Sequence, residues 1–191
     1  MRMKKYYKTI IVIVVLAVLG IGYYYYLSNR DNSVDATEKE FAQQEIDTLT
    51  TRDLSANYPE SPKEVVKFYA RITRAYYKTK LSDEQIKQLG TQARKLFDKE
   101  LYDTQTDEEF FEALKKDIEE YRKAERYIAD FKIEDSENVN YSTFEGKKYA
   151  SLKMLYSIRE GSEFISSYTK FTLRQDEAGR WRILFWELVK N

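Results

Sequence analysis

"YASLKMLYSIREGSEFISSYTKFTL", residues 149–173, decides between an all-helical chain and one that contains a sheet. Ala150, Leu152, Met154, Tyr156 and Ile158 fall on one side, and Ser151, Lys153 and Ser157 on the other. That period of two belongs to a strand with one buried face. Arg159-Glu160-Gly161-Ser162 reads as a turn, and "FISSYTKFTL" resumes as a second strand. An antiparallel hairpin is therefore predicted here.

Further along, "DEAGR" (176–180) makes another turn and "WRILFWELV" (181–189) another strand. Its apolar residues on both faces predict a central position in the sheet. Upstream, "YIADFKIED" (127–135) alternates, with Ala129, Phe131 and Ile133 against Asp130 and Lys132. Before it come three helix starts. Ser61 with Pro62 and Glu64 reads as a capping box, followed by Val65, Val66, Phe68, Tyr69, Ile72, Ala75 and Tyr76 at helical spacing. Ser82 with Gln85 forms a second box, with Leu81 and Ile86 as staple and a stripe through Leu89, Ala93, Leu96, Phe97 and Leu101. Thr106 with Glu109 forms a third, with Phe110, Phe111, Leu114, Ile118 and Tyr121 as the inward face. Residues 58–191 are thus expected to be an α+β domain, three helices packed on a curved antiparallel sheet of about four strands.

The remaining N-terminal part differs in character. Arg2, Lys4, Lys5 and Lys8 make residues 1–8 a basic tail, and no charge then occurs from Thr9 to Asn29. At about 1.5 Å per residue, a helix over 9–28 spans roughly the 30 Å of a bilayer core. The basic flank predicts a cytoplasmic N-terminus. Tyr23, Tyr24, Tyr25 and Tyr26 then fall at the opposite interface, where an apolar ring with a polar tip is favoured. They occupy the place where a cleavable signal would carry small residues, so a retained anchor is expected. Residues 29–57 read as an acidic stalk. From Asp31 to Pro59 seven acids face two bases, with a short helix from Ala36 to Leu49 bearing Phe41, Ile46 and Leu49.

Composition narrows the chemistry. The chain has no cysteine and no histidine, which removes disulfides, thiolate or imidazole metal sites and every Ser-His or Cys-His pair. No cofactor and no metal are expected. Tyr58 to Asn191 carries 25 basic and 25 acidic residues, whereas a nucleic-acid partner calls for a basic excess. The pocket candidates are Glu187, Trp181, Tyr69 and Tyr76. On regular alternation Glu187 shares a strand face with Trp181, Ile183, Phe185 and Val189, where apolar rings would raise its pKa. The plainer and preferred reading leaves it solvated or ion-paired at the strand end.

Three helices and a sheet ending in "AGRWRILFWEL", with the opening "SPKEVVKFYARI", resemble the nuclear-transport-factor-two-like superfamily. The residues carrying that likeness at the C-terminal end are Gly179 to Ile183. The resemblance implies a cone-shaped domain with a pocket between sheet and helices. It also implies a range of roles, from isomerases and hydrolases to ligand carriers and structural modules. "RDLSANYPESPKEVV" behind the anchor is similar to an uncharacterised family of small membrane proteins from anaerobic Gram-positive bacteria. The expected protein is a single-pass membrane protein in the lipid bilayer of the cell membrane. It presents a non-catalytic extracellular domain that binds an envelope protein or small ligand, or scaffolds an assembly. The alternatives are an anchored enzyme using a pocket carboxylate and a conjugation or secretion component.

Overall fold

The computed structural model describes residues 39–190. The basic tail, the apolar run of 9–28 and the tyrosine collar lie outside them. Among the described residues no helix is long and apolar enough to cross a membrane.

Among the described residues five α-helices precede five strands. Helix α1 covers residues 39–51, followed by α2 (Pro62–Lys78), α3 (Asp83–Arg94), α4 (Lys99–Tyr102) and α5 (Asp107–Lys123). The strands are β1 (Arg126–Ile133), β2 (Asn140–Phe144), β3 (Lys147–Glu160), β4 (Glu163–Gln175) and β5 (Trp181–Val189). The α+β class follows the sequence; α1 overlaps the short helix expected from Ala36 to Leu49, and among the described residues α4 and β2 are the elements the sequence reading lacked. The sheet is antiparallel in the order β1-β3-β4-β5, and β2 pairs with β3 beyond the end of β1. Every residue of β2 is exposed, so it carries no alternation for a sequence reading to find.

The helix starts behave as their residues dictate. Ser82–Gln85 and Thr106–Glu109 are reciprocal capping boxes. At α2 the reciprocity is missing: Ser61 accepts from the Glu64 N–H at 3.2 Å, while the Glu64 carboxylate turns to Lys67 at 3.6 Å. Helix α3 stops at Arg94, short of its apolar stripe. Leu96 to Asp98 then runs alongside β5, where Ile183 N–H donates to Leu96 O and Asp98 N–H to Ile183 O, both at 2.8 Å. Of the inward face of α5, Ile118 is fully buried, and Phe110 and Leu114 pack against the core from its margin.

The compact unit begins at Gln44 rather than at Tyr58. Ile46, Leu49 and Leu54, from the segment read as stalk, are buried in the hydrophobic core. The physical reason is a two-sided anchorage. Glu45 takes a bidentate pair of 2.7 Å bonds from Arg71 of α2, which holds the Glu45 carboxyl below its usual pKa. At the other end, the buried Gln92 amide donates to the Thr50 and Arg52 carbonyls at 2.8 and 2.9 Å, meeting groups that a helix C-terminus leaves without partners. Phe41 is exposed.

Two bulges set which side chains face the helices. In β1, Ile128 pairs with Ile158 and Asp130 with Ser157, so Ala129 is an extra residue. Ile128, not Ala129, joins Phe131 and Ile133 on the inner side. In β5, Leu173 pairs with Ile183 and Thr172 with Phe185, making Leu184 the extra residue. A bulge of one residue reverses the alternation beyond it. Nor is β5 central: among the described residues β4 is its only neighbour in the ladder, apart from the bridge at Ile183.

Candidate functional site

The four pocket candidates do not converge. Tyr69 on α2 is partly buried and packs against the core, its ring centroid 6.0, 5.8 and 5.5 Å from Phe97, Phe171 and Trp186. Tyr76 is buried one helical turn pair further on, its hydroxyl without a hydrogen-bond partner among the described residues. Trp181 is buried at the far end of β5 against Tyr141. Glu187 lies on the outer face of the sheet, 53% exposed and 3.6 Å from Lys170. The bulge at Leu184 put it there. Trp186 took the inward place opposite Phe171 that regular alternation gives to Phe185, against Tyr69, Phe97 and Phe171, and Leu188 took the place opposite Thr169 that it gives to Glu187. The solvated, ion-paired alternative thus matches what is observed, with a lysine rather than an arginine as partner.

The structure offers a different concavity, an open groove of about 1380 Å³ at the opposite end of the sheet. It forms where the β4–β5 turn, the 94–103 segment and the 53–58 turn meet the β2–β3 hairpin. Each wall is built locally. Asp53 accepts from the Ser55 N–H and hydroxyl at 2.8 and 2.6 Å, the side-chain turn typical of aspartate. The β2–β3 tip, Glu145-Gly146, takes positive φ at both positions, as a two-residue type I′ hairpin requires.

The β4–β5 turn is tied by Asp176. Its carboxylate accepts the N–H groups of Ala178 and Arg180 at 3.0 and 2.8 Å, and the guanidinium Nε groups of Arg180 and Arg182 at 3.2 and 2.9 Å. Burial pushes its pKa up, but the Arg180 N–H and the two guanidinium groups prevail and hold it below the ordinary aspartate value. Gly179 supplies the positive φ the turn needs. Across the groove Asp98 binds Arg174 of β4 through both oxygens, and Arg174 also reaches Glu100 at 2.8 Å. Asp98 meanwhile caps α4 by accepting the Glu100 N–H at 3.0 Å. Arg94, buried, pairs with Asp107 at 2.7 Å and donates to the Tyr102 and Gln105 carbonyls, fastening α3 to the start of α5.

Tyr58 closes one side. Its hydroxyl donates to the Trp181 carbonyl at 2.7 Å and its ring lies 4.6 Å from the Arg182 guanidinium. Burial pushes its pKa up to about 12. Burial also raises Tyr69, Tyr77 and Tyr156 further still. A phenol raised in the folded state contributes stability that is fully present below the unfolded value of about 10 and is lost as pH rises through the folded one. Alkaline titration should therefore ionise only part of the 17 tyrosines near pH 10. The rest should appear with unfolding as pH climbs toward and past 12. Phenolate absorbance followed alongside circular dichroism checks this; complete ionisation near pH 10 with structure intact would contradict it.

In chemical terms the groove is a set of exposed lysines, Lys95, Lys147 and Lys148, around arginines already engaged by carboxylates. Such an arrangement suits recognition of polar or anionic surface better than proton transfer. The sequence missed it because its members come from four separate segments. The one legible trace was Asp176 with arginines four and six residues later around a glycine.

An α+β domain with an open ion-paired groove at one end of its sheet is the class that fold and site define. The chain belongs to the family described as a domain of unknown function, DUF6715, which it matches over residues 1–186. No curated protein matches it. Among solved structures it is similar to a variant of the helical cell shape determining protein Pgp2 from Campylobacter jejuni. The identity is 13% and the TM-score 0.35, over 66% of this chain and 41% of that one. The chain thus spans less than half of that structure, and a likeness of this degree carries no argument about role.

Proposed function

We propose that the protein is a single-pass membrane protein, N-terminus in the cytoplasm, whose folded unit works outside the cell as a non-catalytic binding or scaffolding domain. The anchor reading rests on the charge-free run from Thr9 to Asn29, the four basic residues before it and the tyrosines at its far end. The observation that carries the binding reading is the state of the groove: its carboxylates, the buried Asp98 and the partly buried Asp176, are committed to Arg174, Arg180 and Arg182. Glu187, the carboxylate an enzyme reading would need, is half exposed beside Lys170 and lends that reading no support. The element order of helices before an antiparallel sheet is consistent with a cone-like domain of the nuclear-transport-factor-two type, and an envelope protein or small ligand is the expected partner.

Protease added to intact cells tests the topology. The C-terminal unit should be digested while the N-terminal tail stays protected, and protection of the C-terminal unit would overturn the proposal. Crosslinking in intact cells followed by purification through the anchor then identifies what the domain touches.

A further inference from the structure

Strand β5 presents a free edge that is also apolar. Beyond Ile183, no backbone hydrogen bond joins residues 185–189 to any described residue other than those of β4. Protein edges of this kind are usually blunted by proline, by lysine or by a covering loop. This one is flanked by Phe185, Trp186 and Leu188, which are 45%, 40% and 78% exposed. A row of N–H and C=O groups at ladder spacing is the complement of an extended polypeptide backbone.

We propose that the outer edge of β5, from Phe185 to Val189, receives an extended peptide segment of a partner protein as an added strand. The peptide sets apolar side chains beside Trp186 and Leu188 on the inner face. On the outer face it sets a basic side chain opposite Glu187, whose carboxylate is 53% exposed and has one lysine at 3.6 Å. Charge complementarity thus fixes the outer side of the peptide and the exposed indole and leucine fix the inner side. A second copy of this chain fits less well. The free stretch pairs over its whole length only when a two-fold axis passes through Glu187, which sets the two Glu187 carboxylates directly opposite each other, a destabilising pair. Moving the axis to Trp186 drives the copy's Val189 into the Leu96–Asp98 segment that already covers Ile183. Moving it to Leu188 shortens the ladder.

The assignment rests on the binding-module reading and adds the chemical class of the partner. Its test uses the full chain in detergent, so a failed topology experiment leaves the measurement intact. The probe is a labelled short peptide alternating valine with threonine, with one threonine replaced by lysine. It is compared with a twin N-methylated at alternate amides, which keeps the side chains and removes ladder donors. The parent should bind, and the twin at least about tenfold more weakly, as loss of two hydrogen bonds of about 1 kcal/mol each requires. Wild type should prefer the lysine peptide to its glutamate counterpart, and Glu187→Lys should reverse that preference. Leu188→Lys should weaken both. Equal binding of the methylated twin, no binding of the parent, or an unchanged preference in Glu187→Lys would overturn the proposal. So would a dimer in sedimentation that Leu188→Lys dissolves, since the occupant would then be a second copy.

Discussion

A chain beginning at Tyr58 should show no cooperative unfolding transition in urea, whereas one beginning at Gln44 should show a single one. The shorter chain lacks Ile46, Leu49 and Leu54, all buried. Each contributes about 1.5–3 kcal/mol by burial, so together they approach the roughly 5–15 kcal/mol that holds a whole domain. Two further losses come with them. Gln92 keeps a buried amide without the Thr50 and Arg52 carbonyls it serves, and Arg71 loses Glu45. Buried donors left without acceptors cost about 1–3 kcal/mol each. Tryptophan fluorescence and far-ultraviolet circular dichroism, followed together through the urea range, read the result. Equal midpoints for the two chains would mean that the N-terminal helix is decoration on a core complete without it.

Asp98→Ala should cost about 3–5 kcal/mol, the range for removing one partner of a buried ion pair. The Asp98 and Arg174 side chains are only 7% and 12% exposed, and removal takes from the Arg174 guanidinium its most buried carboxylate and leaves the exposed Glu100 as its ion-pair partner. The α4 cap disappears with it. Replacing both partners by leucine and methionine should recover much of the loss, because an apolar pair of similar volume avoids desolvating two charges. Denaturant midpoints of the wild type, both single variants and the double variant give the coupling energy. A double variant as unstable as the sum of the singles would show that Asp98 acts through its cap and not through Arg174.

The helices were legible because their signals are local. Ser82 with Gln85 and Thr106 with Glu109 lie three residues apart and act within one turn. The β3–β4 hairpin was legible for the same reason, with Glu160 opposite Glu163 across Gly161-Ser162. What escaped was decided by neighbours distant in sequence. The acidic composition of 31–57 made Ile46 and Leu49 read as the sparse face of a stalk helix, because their burial rests on the Glu45–Arg71 and Thr50–Gln92 bonds, between residues 26 and 42 apart. Leu96 continues the helical stripe in sequence, but the edge of Ile183 draws its backbone out of the helix. The groove could not be read for the same reason: the Arg174–Asp98 bond spans 76 residues. Tyr69 and Tyr76, read as pocket candidates beside Glu187, lie on the inward side of α2, where Tyr76 is core, and Glu187 does not join them.

The added residue at Leu184 also gives one short strand two independent halves. Trp181 and Ile183 are committed to the interior, and a change there disturbs packing that the rest of the domain shares. Phe185, Glu187 and Leu188 stand past the phase reversal, exposed and with a free backbone edge, so their side chains are released from that commitment. Mutation can therefore retune the outward half while the inward half keeps the domain folded, a division of labour that an unbroken alternation could not supply.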